Sequence, residues 1–149
     1  MKGITKIGFC LLSFLGLVAC ENDKNFPITP VLESRSFVKT SNFNAIWTIG
    51  FTDGDGDIGV RNNNDSDNFF VTIFSIEADT IIEIPGRSFR IPVVQNIRTT
   101  KGIEGSFEFR IETDLLLPID SVQYSGYAVD RAGNESNVVF TPIFSTSTR

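Results

Sequence analysis

From about residue 35 onward, apolar and polar positions along this chain alternate with a period near two, the signature of strands that bury one face. Phe107-Glu108-Phe109-Arg110-Ile111 is the cleanest case, apolar and charged residues changing places without a break. Ala45 to Phe51, Phe69 to Ser75, Thr80 to Ile84, Phe89 to Val94, Val122 to Val129 and Val138 to Phe144 are β-branched and aromatic in the same manner. Gly, Pro, Asn, Asp or Ser bounds each run. No segment holds a 3.6-residue period over three turns, and Leu115-Leu116-Leu117 stops at Pro118. Seven or eight short strands at this spacing predict an all-β fold, a sandwich of two antiparallel sheets.

The first 30 residues follow another pattern. Lys2 and Lys6 precede an apolar run, Ile7 to Val18, too short to span a bilayer as a permanent helix. It ends in Leu17-Val18-Ala19-Cys20. A basic start, a short apolar stretch and small residues before a cysteine resemble the signal peptide and lipobox of a bacterial lipoprotein. The resemblance implies cleavage before Cys20, with diacylglycerol on its thiol and an acyl chain on its amine. The expected organisation is a signal peptide over 1–19, a lipidated cysteine and linker over 20–30, and one sandwich domain over 31–149. Glu21-Asn22-Asp23 is similar to the short acidic signals that export Bacteroidetes lipoproteins to the outer face of the outer membrane. That implies an anchor in the outer membrane with the domain at the cell surface.

Composition narrows the chemistry. The chain carries 18 acidic residues against 13 basic, and losing Lys2 and Lys6 makes the remainder more acidic still. Nucleic acid is therefore an unsuitable partner, since it demands clustered Lys and Arg. The chain has 2 cysteines, Cys10 in the apolar run and Cys20, so no disulfide is expected to support the fold. There are 0 histidines, which removes Ser-His-Asp and Cys-His catalysis and imidazole metal sites. The acidic residues cluster in one Gly-rich loop rather than a cleft, so the chain reads as non-catalytic.

Two further stretches carry resemblances. Asp120-Ser121-Val122-Gln123-Tyr124-Ser125-Gly126 resembles the strand-F signature of immunoglobulin-like domains, with Gly126 where that family has its cysteine. Tyr124 would be the corner tyrosine. Val129-Asp130-Arg131-Ala132-Gly133-Asn134-Glu135-Ser136-Asn137 is similar to a turn of bacterial Ig-like and fibronectin-III-like surface domains. The chain departs from the antibody type: it has no cysteine pair, and Trp47 lies on the expected strand B rather than C. The fold implied is an Ig-like or fibronectin-III-like sandwich.

The candidate chemistry sits in Phe51-Thr52-Asp53-Gly54-Asp55-Gly56-Asp57-Ile58-Gly59. Three carboxylates alternate with two glycines that let the backbone fold tightly enough for them to converge. Such crowding raises carboxylate pKa values unless a cation intervenes, and hard oxygen ligands suit Ca²⁺. An EF-hand is excluded: Ile58 stands where its glycine belongs, Asn64 where its bidentate Glu belongs, and no helices flank the loop. The stretch also resembles a segment of small Bacteroidetes lipoproteins, which implies a recurrent structural device and no activity. In a sandwich the B–C and F–G loops share one end, so Asp130 and Asn134 join Asp53, Asp55 and Asp57 as candidate ligands. Arg131 is the competitor, able to neutralise a carboxylate by a bidentate pair. Asp-Gly repeats also form metal-free turns, and that reading stays open beside the first.

The chain thus reads as a cell-envelope lipoprotein that binds or assembles with an envelope protein or a glycan. Carbohydrate binding, in service of a polysaccharide uptake system, is the alternative, with Trp47, Tyr124 and Tyr127 as possible stacking residues. Core burial competes with that role for each of them.

Overall fold

A computed structural model describes residues 25–41, 44–61, 65–78, 80–91, 102–112 and 121–146. The apolar leader, Cys20, Glu21 to Asp23, Asn62 to Asn64, Pro92 to Val94 and Leu115 to Asp120 lie outside the described residues. Among those described, every regular element is a strand: β1 (Val31–Lys39), β2 (Asn44–Asp53), β3 (Phe69–Glu77), β4 (Thr80–Ile84), β5 (Ser88–Phe89), β6 (Ile103–Glu112), β7 (Ser121–Ala128), β8 (Val139–Phe140) and β9 (Phe144–Ser145).

Period-two burial forms the two sheets. Along β2 the side chains of Ala45, Trp47, Ile49 and Phe51 are buried, while Ile46, Thr48 and Thr52 between them are only partly covered. In β6, Phe109 and Ile111 are buried while Glu108, Arg110 and Glu112 face water, as the alternation predicts. Strands β1, β2 and β6 make one antiparallel sheet in the order β1-β2-β6. The second runs β4-β3-β7-β8, with β5 also on β3 and β9 also on β7. In Ig lettering this sets A-B-E against C′-C-F-G, an Ig-like and fibronectin-III-like order. Phe69 of β3 packs edge-on against Phe107 and Phe109 of β6, ring centres 5.2 and 5.7 Å away, joining the sheets at the middle of the core.

Two elements depart from the expected pattern for visible reasons. Strand β1 begins at Val31, ahead of the expected β region, because it is an edge strand that buries only Leu32 fully. Its register shifts between Ser34 and Ser36, so no clean alternation marks it in sequence. The expected strand Val138 to Phe144 is divided into β8 and β9, both on β7. Pro142 has no N–H to give the ladder, and Thr141 fills the gap. Its backbone N–H donates to the Tyr124 carbonyl, and its Oγ1 accepts the Tyr124 N–H, both at 2.9 Å.

The aromatics divide by the same rule. Trp47 is 0% exposed and its Nε1–H donates to Ser34 Oγ at 2.9 Å. Tyr124 is buried and stacks on Phe144. Tyr127 is an odd number of residues along β7 from Tyr124, so it points to the opposite face and stacks on Phe70, ring centres 5.2 Å apart.

Candidate metal centre

The acidic apex is a continuation of the hydrophobic pattern. The inward series of β2 runs Ala45, Trp47, Ile49, Phe51 and then Asp53, which is 0% exposed. The inward series of β7 runs Val122, Tyr124, Gly126, Ala128, and two residues further comes Asp130, at 6%. Two strands in opposite sheets therefore end their core-facing rows in a carboxylate at the same end of the sandwich. The loops that follow close over this end. Arg131 N–H donates to the Asp57 carbonyl at 3.3 Å, and Val129 N–H to the Asn68 carbonyl at 2.9 Å. Carboxylate oxygens of Asp53, Asp55, Asp57 and Asp130 all lie within 4.8 Å of one another. Oxygens on opposite sides of one Ca²⁺ stand about 5 Å apart, given Ca–O distances near 2.5 Å. The four carboxylates can hold a metal ion.

Local bonding divides the work between the two oxygens of Asp53. Its Oδ2 accepts the backbone N–H groups of Asp57 and Ile58, each at 2.7 Å, and so folds the loop back on its own strand. Gly56 makes the reversal possible with φ of 72°, a left-handed conformation that costs a residue with a Cβ about 1 kcal/mol. Asp53 Oδ1 and Asp57 Oδ1 are buried and accept no hydrogen bond among the described residues. The turn reading and the metal reading are therefore not exclusive: one oxygen builds the turn and the other is left with nothing to bind. An unpaired buried acceptor on a charged group costs several kcal/mol, which is the usual circumstance of a cation ligand.

The F–G loop orients the fourth carboxylate. Asp130 Oδ1 accepts the Asn134 backbone N–H and its Oδ2 accepts Asn134 Nδ2–H, both at 2.8 Å. Asn134 thus serves the site at least by fixing Asp130. Arg131 donates its guanidinium N–H to the Gly59 carbonyl. Among the described residues it makes no ion pair with the four acids, and its charge acts on Asp57 only at longer range.

The electrostatics follow from this crowding. Burial pushes the Asp53 carboxyl up to about 6 from 3.8, with the neighbouring Asp55 adding to the rise and the two backbone N–H bonds opposing it. Asp57 is also raised, first by burial, then by the charges of Asp130 and Asp55, with Arg131 opposing. Two unit charges 4.8 Å apart repel by about 3.5 kcal/mol at an effective dielectric constant of about 20. Four ionised groups at that spacing favour either a retained proton or a bound cation.

Two amides hold the apex in place: Asn68, which no sequence pattern marks, and Asn137, the last residue of the turn motif, whose partner that motif does not reveal. Asn68 is buried, donating Nδ2–H to the Ile58 carbonyl at 2.6 Å and accepting the Ile91 N–H at 2.7 Å. Asn137 bonds both backbone groups of Leu32, accepting its N–H at 2.8 Å and donating to its carbonyl at 3.0 Å. Each lies in a polar stretch, where a structural amide and a solvated one look alike. Comparison with protein-family models, with curated proteins and with solved structures finds no match for the chain, so the site rests on its own geometry.

Proposed function

We propose that the protein is a non-catalytic binding or assembly module of the cell envelope, with a structural Ca²⁺ at its acidic apex. The observation that carries this reading is the unpaired, fully buried Oδ1 of Asp53 among three other convergent carboxylates. The ion would cancel the repulsion of Asp53, Asp55, Asp57 and Asp130 and fix the B–C loop against the F–G loop. A lipid anchor on Cys20, suggested by Leu17-Val18-Ala19-Cys20, would hold the module at the outer membrane, where it would meet an envelope partner. Melting in Ca²⁺ and in EDTA tests the ion. A ligand at one hundred times its Kd adds about 2.7 kcal/mol, or about 10 °C in Tm for a domain of this size. Identical melting curves would remove Ca²⁺ from the account. Intact mass of the purified chain tests the lipid, and an unmodified Cys20 would remove the anchor.

A carbohydrate-binding role is the second reading. Burial of Trp47 and Tyr124 takes away two of its three stacking residues, but the half-exposed Phe70–Tyr127 pair on the outer face of β3 and β7 supports it. A glycan array repeated with Tyr127→Ala separates the readings: binding lost with that ring favours the glycan.

A further inference from the structure

The acidic loop also holds the chain that enters the domain. Gly54, between Asp53 and Asp55, donates its N–H to the Pro27 carbonyl at 2.7 Å. The approach is so close that a Cβ on Gly54 would stand 2.4 Å from the Phe26 carbonyl oxygen and 2.7 Å from that of Pro27. Burial fixes this segment only where it meets β1, at Pro30: Pro27, Ile28 and Thr29 before it are exposed, Ile28 at 63%, so Pro27 is held by its bond to the loop and not by packing. Five residues beyond Pro27, Asn137 of the connection after β7 grips both backbone groups of Leu32. The entering chain is thus held at two points, one on each of the two loops that bring the carboxylates together.

We propose that Ca²⁺ at the apex governs how rigidly, and in which direction, the domain stands on its N-terminal chain. The inference rests on the Ca²⁺ reading above. With the ion bound, the loops are one body and both grips act together. Without it, repulsion among the four carboxylates works against the Arg131 bonds to the Asp57 and Gly59 carbonyls that join the loops, and the grip on Pro27 moves independently of the grip on Leu32. Release of the ion then frees residues 25–29 while the two sheets stay folded, because the core cluster is drawn mostly from the strands, with Ile58 of the acidic loop and Ile91 as its members outside them among the described residues.

Backbone ¹⁵N relaxation at the Ile28 and Thr29 amides of the full chain in detergent reads this directly, beside calorimetry of Ca²⁺ binding. The expected order parameters are about 0.85 in Ca²⁺ and below about 0.6 in EDTA. Gly54→Ala, whose Cβ crowds the Phe26 and Pro27 carbonyls and so removes the grip, should leave both amides as mobile in Ca²⁺ as in EDTA. Equal order parameters in Ca²⁺ and EDTA, with Ca²⁺ demonstrably bound, would overturn the inference and leave the metal site standing. Absence of any Ca²⁺ binding would overturn both. The wild-type comparison decides the matter even if Gly54→Ala folds poorly.

Discussion

Asp53→Asn should have opposite effects with and without Ca²⁺. In the metal-free protein at pH 7 the Asp53 carboxylate is ionised although burial has raised its pKa from 3.8 to about 6. Charging this buried group beside Asp55 therefore works against the fold by an amount on the order of 1–3 kcal/mol. The amide removes the charge, keeps an oxygen for the Asp57 and Ile58 N–H groups, and turns an N–H₂ toward the neighbouring carboxylates. Imperfect fit reduces the gain, so the variant should be about 1–3 kcal/mol more stable in EDTA, with Tm higher by roughly 4–12 °C. In Ca²⁺ the wild type gains stability and the variant does not. The pH profile gives a second check. Because the folded-state pKa is raised, the folded protein holds a proton between pH 3.8 and about 6 that the unfolded chain has released. This contribution is therefore fully present below pH 3.8 and is lost as pH rises through about 6. Asp53→Asn should lack that decline. Urea titrations in EDTA at several pH values measure both effects. A variant less stable than wild type in EDTA, with an unchanged pH slope, would refute the reasoning and leave Asp53 a simple turn-former.

Trp47→Ala should cost about 3–5 kcal/mol, because it empties a fully buried site at the centre of β2, and urea denaturation measures the loss. The indole of the wild type should also resist quenching by acrylamide; ready quenching would contradict its burial. Asn137→Ala leaves the Leu32 N–H and carbonyl without their partner and should cost about 1–3 kcal/mol, with faster hydrogen exchange at Leu32. Protons compete for the same carboxylates, so Ca²⁺ affinity should weaken as pH falls below about 6, where Asp53 takes up its proton. Calorimetry at pH 5 and pH 7.5 checks the direction, and equal affinity would argue against Asp53 as a ligand.

The sheets are legible in the sequence wherever one face is fully buried. Strands β2, β6 and β7 alternate because one row of each packs in the core. Strand β1 lies at an edge, buries little and carries a register shift, so its start is hidden among polar residues. The acids are legible as a cluster, and their meeting with Asp130 follows from the two loops sharing one end. What the loop sequence conceals is the burial of Asp53, although it is the next inward position after Phe51. A period-two row that ends in an aspartate is a signal in its own right. Asn68 leaves no such trace, and the turn motif that contains Asn137 does not point to Leu32, since the partners of both amides are backbone groups in other elements.

Whether a cation completes the apex is decided by calorimetric titration of Ca²⁺ into the full chain, beside Asp55→Ala. Asp55 is exposed and supports no packing, so its loss should spare the fold and remove only a ligand. One ion per chain should bind in the wild type and none in the variant. No heat at millimolar Ca²⁺, or equal binding by the two proteins, would contradict it.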